Sequence, residues 1–90
     1  MKIDKTVMAG SLESNDVLIT LRPAEREGIE LILDSIVEKQ FADKIREVVV
    51  TVLNEFGVES AYVYVQDRGA LDFVLKARME TAILRAKEEV

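Results

Sequence analysis

Ile45-Arg46-Glu47-Val48-Val49-Val50-Thr51-Val52-Leu53-Asn54-Glu55-Phe56-Gly57-Val58-Glu59-Ser60-Ala61-Tyr62-Val63-Tyr64-Val65-Gln66 changes its hydrophobic period at Gly57. Before the glycine, apolar residues recur at three and four residue intervals. Starting from Ile36, the stripe Val37, Phe41, Ile45, Val48, Val49, Val52, Leu53 and Phe56 predicts an amphipathic helix of five turns. The β-branched run Val48-Val49-Val50-Thr51-Val52 favours a strand locally. Its penalty in a helix is only a few tenths of a kcal/mol per residue, so the stripe should override it. Gly57 is a helix stop. After it the period is two, with Ala61, Val63 and Val65 on one face and Tyr62, Tyr64 and Gln66 on the other, which predicts a strand over 58–66.

Two more alternating segments lie upstream. Val17, Ile19 and Leu21 alternate with Leu18, Thr20 and Arg22 until Pro23, and Ile29, Leu31 and Leu33 alternate with Glu30, Ile32 and Asp34. Separated by the charged turn 24–28, these strands are expected to pair as an antiparallel hairpin. Downstream of the turn Asp67-Arg68-Gly69, the stripe Leu71, Leu75, Met79, Ala82, Ile83 and Ala86 predicts a helix over 70–89. Alternation of Leu71, Phe73, Leu75 and Ala77 leaves open a short strand ahead of a helix beginning near Met79. The order ββαβα implies an α+β two-layer sandwich, a small sheet with an antiparallel pair and two helices on one face. Residues 1–90 form a single domain in this reading, with 1–15 an irregular lead-in.

Composition narrows the function. The net charge of −5 opposes binding to nucleic acid, whose phosphates demand Lys and Arg. No apolar run has the roughly 20 residues that span a bilayer. The amino terminus lacks a secretory stretch and the chain has no cysteine, so a cytoplasmic setting is expected. With no His either, the commonest general base, the best nucleophile and the usual zinc ligands are missing. No catalytic or metal-ligating set is visible, which disfavours an independent hydrolase. Thiol chemistry would have to be brought by an added group.

Two serines, Ser35 and Ser14, could bear such a group, and Ser11 is the nearest competing hydroxyl to Ser14. Ser35, in Asp34-Ser35-Ile36, is superficially similar to the Asp-Ser-Leu attachment motif of ordinary acyl carrier proteins. Those are helical bundles, whereas three segments here alternate. Glu38 three residues on gives Ser35 a capping-box arrangement, a structural role. Ser14 lies in Ala9-Gly10-Ser11-Leu12-Glu13-Ser14-Asn15-Asp16, ahead of the first strand. As residues alone, Ser11 and Ser14 are ordinary loop hydroxyls.

That stretch resembles the Ala-Gly-(Thr/Ser)-Leu-Glu-Ser-x-Asp motif of the acyl carrier subunit of citrate lyase. The resemblance continues through Val37-Glu38-Lys39-Gln40-Phe41, Asp67-Arg68-Gly69-Ala70-Leu71-Asp72 and Ala77-Arg78-Met79-Glu80-Thr81-Ala82-Ile83. The four motifs stand in the same order and are spread over residues 9–83. Phe73, where several members of that family are expected to have cysteine, and Asn15, in place of a residue that is often small, depart mildly from it. The resemblance implies that Ser14 bears phosphoribosyl-dephospho-CoA in phosphodiester linkage, with Ser11 given no such role.

It further implies a non-catalytic carrier of acetyl and citryl thioesters during cleavage of citrate to oxaloacetate and acetate. Implied partners are the acyl transferase (alpha) and citryl lyase (beta) subunits, the prosthetic-group transferase (holo-citrate lyase synthase) and an acetylating ligase. A malonate decarboxylase-type carrier is the nearest alternative, and an unmodified interaction module is another. Glu13 and Asp16 flank Ser14 and would hold phosphates outward, unless Arg68 or Arg78 folds near enough to pair with them. Tyr62 and Tyr64 read as packing residues, and Glu59 and the tail Lys87-Glu88-Glu89 as solvated charge.

Overall fold

The computed structural model describes residues 1–37 and 39–88. In chain order the elements are β1 (Val7–Gly10), β2 (Val17–Arg22), β3 (Ile29–Ser35), α1 (Lys39–Glu55), β4 (Ala61–Asp67) and α2 (Asp72–Lys87). The four strands form one mixed sheet in the order β1-β2-β4-β3. One sheet face is covered by the helices. It carries Val17, Ile19 and Leu21 of β2 and Ala61, Val63 and Val65 of β4, all fully buried against Val49, Val52, Leu53, Leu75, Met79 and Ile83. The α+β two-layer architecture is the expected one, with one strand more than expected.

Three expectations require correction. The lead-in is not irregular throughout, because Val7–Gly10 pairs antiparallel with β2, Val7 opposite Leu21 and Gly10 opposite Leu18. Ile3 is also buried, and Lys2 bridges to Ser60. The strands at 17–22 and 29–35 do not form a hairpin: β4 enters between them, antiparallel to β2 and parallel to β3. A parallel pair needs a long crossover, and α1 supplies it. The most completely buried alternation takes the centre, while the short β1 and the Glu30- and Asp34-bearing β3 take the edges, where unpaired backbone is best tolerated. Lastly, α1 starts at Lys39 rather than Ile36.

Other expectations hold as residue-level physics. The β-branched run at 48–52 is helical, with Val49 and Val52 in the core. Gly57, at φ +70°, ends α1: its N–H donates to the Asn54 carbonyl and that of Val58 to the Leu53 carbonyl, the paired bonds of a Schellman stop. Residues 72–87 form one continuous helix, so the alternation of Leu71, Phe73, Leu75 and Ala77 makes no short strand ahead of Met79. The stripes overrun the core at the helix beginnings, where Phe41 is 54% exposed and Leu71 63%.

Burial separates the two ends of the α1 stripe energetically. Leu53→Ala should cost about 2–5 kcal/mol in urea unfolding through the cavity it leaves. Phe41→Ala should cost less than about 1 kcal/mol despite removing a larger side chain.

Candidate functional site

Ser14 sits at the tip of the β1–β2 hairpin. The Ser11 N–H donates to the Val17 carbonyl (3.2 Å) and closes the hairpin neck, and the Asp16 N–H donates to the Glu13 carbonyl (3.1 Å). Ser14 and Asn15 are thus the central residues of a β-turn. Asn15 has φ +66°, in the left-handed region that its side-chain type tolerates best among non-glycine residues. At the neck, Gly10 has φ +98°, and a Cβ there would overlap the Val17 carbonyl oxygen. This glycine is therefore required by the close crossing of the two strands.

The turn is fastened on two sides. Toward the sheet, the Asn15 N–H donates to the Arg68 carbonyl (2.8 Å) and the Arg68 N–H to the Asp16 carbonyl (2.9 Å), extending the β2–β4 ladder past its last strand residues. Toward the helices, Asp16 is gripped by Arg78 of α2: Nε donates to Oδ1 (3.0 Å) and Nη2 to Oδ2 (2.8 Å). Oδ2 also accepts the Ser11 hydroxyl (2.7 Å) and Oδ1 the Val17 N–H (2.7 Å). The Ser11 oxygen in turn accepts the Glu13 N–H (3.2 Å).

The three serines are therefore in different states. Ser11 is committed to Asp16. Ser35 closes β3, donates to Oδ2 of the buried Asp67 (2.9 Å) and accepts from the Val37 N–H (3.1 Å). It lies four positions before the first residue of α1, and the expected capping partner Glu38 is outside the described residues. Asp67 also accepts the Ala70 N–H (3.0 Å), so the Ser35 hydroxyl belongs to the closure of the β4–α2 turn. Ser14 is exposed, and among the described residues its hydroxyl has no hydrogen-bond partner.

Electrostatics around the tip differ from a plain acidic loop. The paired Arg78 hydrogen bonds, helped by Ser11 and the Val17 N–H and opposed by burial, bring the Asp16 carboxyl from 3.8 down to about 2. The same contact raises the Arg78 guanidinium. Asp16 is thus paired with Arg78, whereas Glu13, the other acidic residue of the turn, makes no ion pair among the described residues. Arg68 points away, with Nη2 3.3 Å from Asp34 Oδ2 and Nη1 donating to the Asp67 carbonyl (3.0 Å). Its backbone, rather than its charge, serves the hairpin. Tyr62 and Tyr64 lie partly buried on the open sheet face, with the Arg22 guanidinium 3.9 Å over the Tyr62 ring. Among the described residues no group of His, Cys, Asp and Glu could hold a metal ion, and no helix is long and apolar enough to cross a membrane.

Asp16 is stabilised in its charged form by folding, so its contribution is present above about pH 4 and is lost as pH falls toward about 2. In an acid titration of the melting temperature, wild type should fall across that window. Asp16→Asn should start lower at neutral pH and show a shallower decline.

The family model described as the malonate decarboxylase delta subunit matches residues 4–86. A citrate lyase acyl carrier protein of Serratia proteamaculans is 50% identical over 86 residues, covering 96% of this chain and 84% of that protein. A protein of the same description from Streptococcus mutans is 47% identical, covering 98% and 86%. Among solved structures, a Pseudomonas malonate decarboxylase hetero-tetramer in complex with malonate contains a chain that superposes with a TM-score of 0.78. It covers 96% of this chain and 88% of that one at 14% identity, a likeness of fold alone. Close to half of the residues are shared with the citrate lyase carriers over nearly full length, and the same βββαβα fold recurs in a distant decarboxylase chain. On these grounds the chain belongs to the family of citrate lyase acyl carrier proteins.

Proposed function

We propose that this protein carries acyl groups for a citrate lyase on a phosphoribosyl-dephospho-CoA arm joined through a phosphodiester to Ser14. The observation that carries the reading is the state of that hydroxyl: exposed, without a hydrogen-bond partner among the described residues, and held at the apex of a turn whose backbone is fastened on both sides. A bulky phosphate-bearing group fits such a point, since nothing in the hairpin must move to admit it. The arm's terminal thiol would supply the thioester linkage that lets an acetyl unit depart as a stabilised enolate.

This chain's own residues bind and present. Gly10 and Asn15 set the turn, Asp16 and Arg78 brace it, and Glu13 keeps anionic groups off the hairpin surface. A fixed base with a flexible arm gives the thiol a high effective concentration at two partner sites in succession. In this reading the partners are the acyl transferase and citryl lyase subunits, the prosthetic-group transferase and an acetylating ligase, in the cytoplasm. A malonate decarboxylase carrier shares the fold, but the much higher identity to citrate lyase carriers favours the latter.

Intact mass measurement with peptide mapping, after co-expression with the citrate lyase maturation enzymes, tests the assignment. The phosphoribosyl-dephospho-CoA mass should appear on the peptide containing Ser14 and be absent from Ser14→Ala, while Ser11→Ala and Ser35→Ala still acquire it. No added mass on wild type, or addition at Ser35, would overturn it.

A further inference from the structure

We propose that Arg78 is a positioning residue for Ser14: through its two-point hold on Asp16 it keeps the 13–16 turn in the shape that the modifying transferase takes up. The inference rests on the reading of Ser14 as the attachment point. A line of contacts runs from Arg78 to both Asp16 oxygens, from Oδ2 to the Ser11 hydroxyl, and from the Ser11 oxygen to the Glu13 N–H. It therefore reaches both the first and the last residue of the turn that carries Ser14. The core does not require it. α2 is seated by Leu75, Met79, Ala82, Ile83 and Ala86, and Arg78 lies outside that buried set, with its side chain 41% exposed.

The attachment chemistry explains why shape matters. The Ser14 Oγ forms a new bond to phosphorus of an activated phosphoanhydride donor. The bond from that phosphorus to the departing diphosphate breaks, and the hydroxyl proton passes to a base of the transferase. Attack must be in line, so a turn that samples many shapes is competent for only a fraction of the time. The apparent KM for the carrier then rises by the inverse of that fraction, while the rate once bound is preserved. A guanidinium fork holds both carboxylate oxygens at once, which an ammonium does not do with the same geometry.

The test measures initial rates of mass gain against carrier concentration for wild type, Arg78→Met, Arg78→Lys and Val52→Ala, with transferase and activated donor. Val52→Ala lowers the melting temperature from within the core, and Val52 lies on α1, outside the hydrogen bonds that join Arg78, Asp16, Ser11 and Glu13. Arg78→Met should raise KM about tenfold with kcat within about twofold, Arg78→Lys should fall between, and Val52→Ala should keep the wild-type KM. Hydrogen exchange should quicken at the Asn15 and Asp16 amides of Arg78→Met while Val63 and Val65 stay protected. A folded Arg78→Met with the wild-type KM would overturn the proposal, as would an equal KM rise in Val52→Ala. If Arg78→Met does not fold, Arg78→Lys decides on the same criteria. A wild-type chain that gains no mass at Ser14 takes the attachment reading down with it, whereas mass gain with an indifferent Arg78 removes only this inference.

Discussion

A strand with neighbours on both sides must satisfy its whole backbone within the sheet, and β4 is the strand on which this constraint falls most heavily. Ala61, Val63 and Val65 are fully buried beneath the helices, and β2 and β3 take up its two edges. Because β3 runs parallel to β4, the chain has to return along the sheet between them, and α1 exists to make that return. Where β4 ends, three things meet: the buried Asp67 closes the turn into α2 and ties down Ser35, while the Arg68 backbone extends the ladder to Asn15 and Asp16. The attachment hairpin is thus built on the exit of the most constrained strand in the molecule.

Asp16 converts that placement into a defined loop. Six residues joining two strands, five of them polar, would ordinarily be among the looser parts of a small domain. Here one carboxylate accepts from a guanidinium fork, a hydroxyl and a backbone N–H, and the charge that would otherwise stand beside Ser14 is matched. Burial of this pair is only partial, so its worth lies in geometry more than in energy. Stiffness at the base and freedom in the arm are complementary. A loose base would spread the arm's reach over directions in which no partner site lies.

Local periodicity was informative wherever burial sets it. The switch at Gly57, the helical reading of 48–52 and the strand at 61–67 all follow from which residues face the core. Pairing was not legible, because alternation tells which face of a strand is buried and nothing about its neighbours; the nearest strand in sequence was the natural partner for β2, and β4 displaced it. Val7-Met8-Ala9-Gly10 escaped notice since four residues ending in glycine carry almost no alternation. The stripe misplaced Phe41 and Leu71 for a geometric reason. A seven-residue strand is about 23 Å long and a 17-residue helix about 25 Å, so a helix that begins beyond the strand's end carries its first turn past the sheet.

The site was legible as a motif and hidden as a mechanism. Nothing in composition separates Ser11, Ser14 and Ser35, and the Asp16–Arg78 contact joins residues 62 positions apart. Its faint trace is an arginine beside the core stripe of α2, next to Met79, where a solvated face would accept any charge. What distinguishes the serines is what each hydroxyl already does. Recruiting Ser11 as a nucleophile would strip a donor from Asp16 and free the Glu13 amide, and recruiting Ser35 would leave the buried Asp67 carboxylate short of a partner. Ser14 can lose its proton and accept a substituent with no such loss. Two of these three hydroxyls hold the structure together, and the third has no hydrogen-bond partner among the described residues.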